Sequence, residues 1–178
     1  TTSGNAWGGV SVQTAGDSYT GGVDNVAFTG NFNVSEIVPL LLEKDYPGYY
    51  DITNVTIPDK FNYIVYTLRS DNYKQWFYVE SLENVKQFAN GLMNLSSNPY
   101  SYSDILIYDI AEENYWVIPG MSIQDAIDAS TNNDVIYITE GSYNEQLSVV
   151  GKDLVLNGDG KDKTFINSPD TLSTLYTT

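Results

Sequence analysis

Between residues 121 and 169 the chain offers one short amphipathic helix and four apolar stretches too short to fold alone. Ser122 is a natural N-cap, and Ile123, Ala126 and Ile127 recur at helical spacing on one face. The apolar stretches follow at residues 135–138, 147–150, 154–156 and 164–166, separated by polar turns rich in Gly, Asn and Asp. A helix of that length buries little by itself, and the strands lack the paired turns of a hairpin sandwich. Stacked as successive turns of a solenoid, they share one core, with the helix as the end plug.

Four motifs carry a family resemblance. They are Ser-Ile-Gln-Asp-Ala-Ile-Asp-Ala from Ser122, Asp-Val-Ile-Tyr-Ile from Asp134, Glu-Gly-Ser-Tyr-Asn-Glu from Glu140 and Gly-Asp-Gly-Lys-Asp-Lys-Thr from Gly158. In order and kind this series resembles the opening of right-handed parallel β-helix domains of the pectin-lyase-like class. The resemblance covers about the last third of the chain. It implies a cap helix near residues 122–130, a strand at 135–138, and turns at 140–145 and 158–164. It says little about chemistry.

Two internal echoes organise the remainder. Residues 23–32 match residues 52–61, with Asn25 aligned to Asn54, Val26 to Val55, Phe28 to Ile57 and Phe32 to Phe61, a step of 29 residues. Val26 and Phe28, like Val55 and Ile57, alternate with polar neighbours, so each segment turns one face inward. Residues 7–60 therefore read as two or three further coils, the finishing end of a β-helix. The second echo sets Ser81 and its following helix against Ser122 and its helix, then residues 104–110 against 134–140, then the strand from Asn114 against that from Gln146. Strands at 63–68, 75–79, 104–110 and 114–118 with a helix over 81–93 make residues 61–120 a small α+β insert or capping unit. The expected architecture is mainly β: terminal β-helix coils over 1–60, the α+β piece over 61–120, and a new β-helix starting over 121–178.

Charge narrows the partners. Eight Lys and Arg face 23 Asp and Glu, a formal charge of −15, which repels phosphate backbones and anionic membranes. Nucleic acid and membrane insertion are not expected. The chain has no Cys, hence no disulfide framework, and no His, hence neither the usual general base nor the commonest metal ligand. Its 15 Tyr and many Asn, Thr and Ser suit a secreted or cell-surface protein. Asn33, Asn54 and Asn94 head Asn-x-Ser/Thr sequons, which an Asn-rich chain also produces by chance.

Many β-helix proteins cleave polysaccharides, and the residues speak against that here. The only Arg, Arg69, lies outside any recognisable coil, and most acidic residues fall in turns rather than paired on one inward face. No catalytic residue, metal or cofactor is expected. The turn from Asn157 to Asp162 alternates oxygen ligands as a Ca²⁺ loop does, but lacks a closing Glu and carries Lys161 in its middle. It reads better as a tight corner in which Gly158 and Gly160 take positive φ. Loop tyrosines are the better lead: Tyr46, Tyr49 and Tyr50 on one turn-rich insertion and Tyr100 and Tyr102 on another, with Trp7, Tyr19 and Trp76 as possible neighbours. Such rings offer amphipathic faces for glycans or protein. Equally, each can pack over a coil end. Phe77 and Trp116 fall in strands and are expected in the core.

The resulting expectation is a non-catalytic structural or adhesive module of an extracellular or cell-surface protein. It would self-associate or abut neighbouring modules by end-to-end stacking of coils, as an excerpt of a longer repetitive protein or as a filament unit. The alternatives are a carbohydrate-binding module using the loop tyrosines and a fragment of a polysaccharide lyase or glycoside hydrolase.

Overall fold

The computed structural model describes residues 9–14, 22–28, 37–44, 52–68, 74–93, 105–169 and 175–177. The protein is mainly β and divides into two compact units, Thr1–Asn94 and Leu95–Thr178. The α+β stretch read over 61–120 is thus shared between them.

In the first unit the strands are β1 (Val10–Gln13), β2 (Val23–Asp24), β3 (Leu40–Lys44), β4 (Ile52–Thr53), β5 (Tyr63–Leu68) and β6 (Lys74–Val79), followed by α1 (Leu82–Met93). β1 runs parallel to β3, which pairs antiparallel with β6, and β6 pairs antiparallel with β5. The sequence expectation contains no strand at β3. Its run of apolar residues without alternation is explained by burial on both faces: Leu40 and Leu41 are fully buried and Leu42 nearly so. Leu41, Phe77 and Val65 lie opposite one another across three strands and are buried under α1, where the Phe77 and Phe88 rings meet at 4.8 Å. Each such side chain contributes about 1.5–3 kcal/mol.

The next row on that face is polar. Glu43 lies opposite Gln75, whose Nε2 donates to Glu43 Oε2 at 2.7 Å, and both are buried. α1 starts as its sequence predicts, with Ser81 Oγ accepting from the main chain of Asn84 and Ser81 O from Val85.

The 29-residue echo is a real pairing. β2 and β4 run parallel, with Val23 opposite Ile52, Asp24 opposite Thr53 and Ala27 bridged to Thr56. Asn25 and Asn54 both leave their strands at positive φ, 57° and 51°. That conformation favours Asn among residues with a side chain.

The second unit contains β7 (Ile105–Asp109), β8 (Asn114–Val117), α2 (Ile123–Ala129), β9 (Val135–Ile138), β10 (Gly141–Asn144), β11 (Leu147–Val149), β12 (Val155–Gly158), β13 (Thr164–Asn167) and β14 (Leu175–Thr177). β7 and β8 form an antiparallel hairpin whose turn Asp109 closes, its Oδ1 accepting from the main chain of Ala111 and Glu112. β8 then pairs parallel with β9. This limits the second echo: the helix-then-strand order repeats, but β9 and β11 form no such hairpin. Beyond β9 the pairing is parallel throughout. Val135 lies opposite Val155, Gly141 opposite Thr164 and Leu147 opposite Leu175, so each of β9, β10 and β11 pairs with the strand three places later.

Two local expectations change. Residues 141–144, read as a turn, form strand β10 because Gly141 and Ser142 extend the chain before inward-facing Tyr143. Gly158 belongs to β12 rather than to a positive-φ corner; only Gly160 of that pair has positive φ, at 133°. Phe77 is core as expected. Trp116 is only half-buried, and its ring stacks on Tyr137 at 4.7 Å and 19°.

Candidate functional site

The described part of the second unit has an open cleft of about 350 Å³. Gly120, Met121 and Ser122 form one wall, and Ser142, Tyr143, Asn144 and Glu145 form the other. Its shape follows from how α2 is held. Ser122 Oγ accepts from the Asp125 main chain, the N-cap that the sequence advertises. Glu145 completes the cap from outside the helix. It accepts from Ile123 N at 2.9 Å, Gln124 N at 3.1 Å and Ser122 Oγ at 3.1 Å.

At the other end Lys152 Nζ donates to the carbonyls of Ile127 and Ser130 at 2.8 Å and of Asp128 at 3.3 Å. An anion at the first turn and a cation at the last both complement the helix dipole. Sequence reading missed both residues. The Asn-Glu ending of the β10 motif was the available signal for Glu145; Lys152 had none.

Below the cleft, Tyr143 is an interior clamp. Its hydroxyl lies 3.1 Å from Thr139 O, 3.3 Å from Val117 O and 3.3 Å from Thr139 Oγ1. Burial pushes its phenol pKa above the usual value. Gly141 opens β10 at φ 152°, and a Cβ there would sit 2.6 Å from Pro119 Cγ.

The three strands β9, β10 and β11 are treated differently on the edge facing away from β12–β14. β9 is paired by β8. β11 is covered by a side chain: Ser148 N donates to Gln124 Oε1 at 2.8 Å, and Gln124 Nε2 donates to Ser148 O at 3.1 Å. On β10, Gly141 N faces β13, donating to Lys163 O at 2.9 Å. Alternation along the strand turns the main-chain groups of Ser142 and Asn144 the other way, to the edge bordering the cleft. Both residues are exposed.

The expected ligand-binding tyrosines, Tyr46, Tyr49, Tyr50, Tyr100 and Tyr102, lie outside the described residues, as do Trp7, Tyr19, Arg69, Asn33 and Asn94. Trp76 sits half-buried in β6. Asn54 is exposed, and its Nδ2, the atom a glycan would join, donates to Asp24 Oδ1 at 2.8 Å. Thr53 Oγ1 donates to the same oxygen at 2.7 Å, and Asn25 Nδ2 donates to Asp24 Oδ2. Hydrogen bonds from Thr53, and next from Asn54, hold the Asp24 carboxyl below the usual carboxylate range.

In the turn from Asn157 to Asp162, Asp159 Oδ2 accepts from Glu140 N at 2.8 Å, the arrangement of a corner tie. Among the described residues no three His, Cys, Asp or Glu side chains converge as a metal site. No helix among them is long and apolar enough to cross a membrane. No family model, no curated protein and no solved structure matches this chain.

Proposed function

We propose that the chain is a non-catalytic structural module of a cell-surface or secreted protein, built from right-handed parallel β-helix coils of the pectin-lyase-like kind. Its role is to extend or adhere by end-to-end stacking. The observation that carries this reading is the threefold parallel pairing of β9 with β12, β10 with β13 and β11 with β14. Three successive strands that each pair parallel with the third one along are what winding around a common interior would produce, which supports this reading.

In this reading β9–β11 form one coil and β12–β14 the next, with α2 over the first as its plug. The parallel pairs β1–β3 and β2–β4 are coils of the first unit. In the second coil Leu156 and Ile166, opposite buried Ile136 and Tyr143, are half-buried, and a stacked neighbour would cover them. The non-catalytic part of the reading is supported by the carboxylates near the cleft and corner, which hold structure: Glu145 holds α2 and Asp159 holds the corner.

Sedimentation velocity against concentration and salt tests the assembly. Molecules of charge −15 repel, so stacking should strengthen as salt screens them. The expected result is a mass distribution that grows with concentration at high salt and collapses to monomer in Ile166→Asp. A monomer under every condition would remove end-to-end stacking of free copies.

A further inference from the structure

We propose that the cleft edge of β10 is a docking site for an extended basic peptide, which adds as a strand beside Ser142–Asn144. Three neighbouring strands differ in how their edges are closed. On the same side, β9 is closed by β8, and β11 is closed by the Gln124 carboxamide standing in for a peptide group. Among the described residues β10 alone of the three borders open space there, and that space is the cleft.

The main-chain groups facing it, those of Ser142 and Asn144, stand two residues apart, the repeat at which one strand hydrogen-bonds another. A volume of about 350 Å³ lies within the usual range of ligand clefts, about 300–1,000 Å³. Strand addition to such an edge is a recurrent mode of peptide recognition, in which main-chain bonds supply affinity.

The cleft walls and the protein's field select the occupant. Ser122, Ser142 and Asn144 line the cleft with small polar groups, which suits a peptide with small side chains at the positions facing them. The whole molecule carries −15, so approach of a cationic segment is favoured, whereas Glu140 just before the strand is already paired with Lys163 Nζ at 3.8 Å. At this edge an acidic segment is disfavoured on the same ground. Glu145 lines the cleft too, and its carboxylate keeps its charge while accepting from three neutral donors of the α2 start, which further favours a cationic segment.

The test uses the whole chain carrying Ile166→Asp, so that loss of stacking and loss of peptide binding are read separately. The probe is a fluorescein-labelled heptapeptide with alternating serine and valine between two terminal lysines, followed by fluorescence anisotropy. Saturable binding is expected. Methylating the probe's backbone nitrogens at alternate residues should weaken it about tenfold in one phase and hardly at all in the other, since only one set of amides meets the edge.

Ser142→Pro, which deletes an N–H pointing into the cleft, should weaken binding by about the same factor. Should that variant not fold, amide exchange on the unsubstituted residues decides. Ser142 and Asn144 should exchange about a hundredfold faster than Tyr143 in the free protein and slow on adding the probe. Absent binding, equal effects of the two methylation phases, slow exchange at Ser142 and Asn144 without peptide, or displacement of the probe by maltoheptaose would each overturn the proposal.

Discussion

The carboxamide of Gln124 pairs with the main chain of Ser148 through both its atoms, accepting from Ser148 N at 2.8 Å and donating to Ser148 O at 3.1 Å. One side chain of α2 thus occupies the edge of β11, which would otherwise offer unpaired main-chain groups to another strand. Gln124→Ala should cost about 1–2 kcal/mol in denaturant unfolding and speed exchange of the Ser148 amide selectively. Gln124→Glu keeps the acceptor but turns an oxygen toward Ser148 O and Asp128 Oδ1, to both of which Gln124 Nε2 donates, and should cost at least as much as alanine. A Ser148 amide that exchanges no faster in the alanine variant would show that the pairing does not hold in solution.

Asp24 ties two parallel segments together at their exposed Asn corners. Its carboxyl lies below the usual range because Thr53 and Asn54 donate to its charged form. A depressed native pKa adds stability above the unfolded-state value, near 3.8, and that stability is lost as pH falls through the lower native one. The stability gap between the wild type and Asp24→Asn should therefore be largest at neutral pH and close under strongly acidic conditions. A gap that persists unchanged at pH 2 would remove the ionic part of the argument.

Tyr143 should behave in the opposite direction. Burial raises its phenol pKa, so the stability it contributes is whole below the usual tyrosine value and is lost as pH rises through the native one. Ultraviolet titration of the native protein should show a phenol ionising beyond the ordinary transition that is absent from Tyr143→Phe, while the likewise raised phenols of Tyr78 and Tyr108 remain in both. The same variant forfeits hydroxyl contacts to Val117 O and Thr139 O, at a cost of about 1–2 kcal/mol.

Gly141 is required twice over, by its φ of 152° and by Pro119, which leaves no room for a Cβ at 2.6 Å. Gly141→Ala should destabilise the second unit by about 1–3 kcal/mol and lower its melting temperature. At Gly151 the positive φ of 67° comes with open space around the missing Cβ, so Gly151→Ala should cost less. Equal losses at the two sites would show that backbone strain, not the Pro119 contact, sets the penalty.

What the sequence determined by itself was local and periodic. Ser81 and Ser122 announced their helices because a hydroxyl before an apolar stripe has one cheap use, to accept from the first turn. The alternation of Val26 and Phe28 and of Val55 and Ile57 marked two matching segments, and pairing across the same 29-residue step is found between β2 and β4. Tertiary structure decided the rest. The leucines of β3 carry no alternation because both faces are covered, so period alone did not reveal a strand. Hairpin and parallel ladder use the same short apolar runs, so the different fates of β8 and β11 were not legible in their residues. Lys152 looked like ordinary surface polarity, and Gln124 and Glu145 stood in motifs without showing their partners, since a hydrogen bond across more than twenty residues leaves no periodic trace in a sequence. Local propensity is written residue by residue, whereas edges, caps and clefts exist only once distant segments have met.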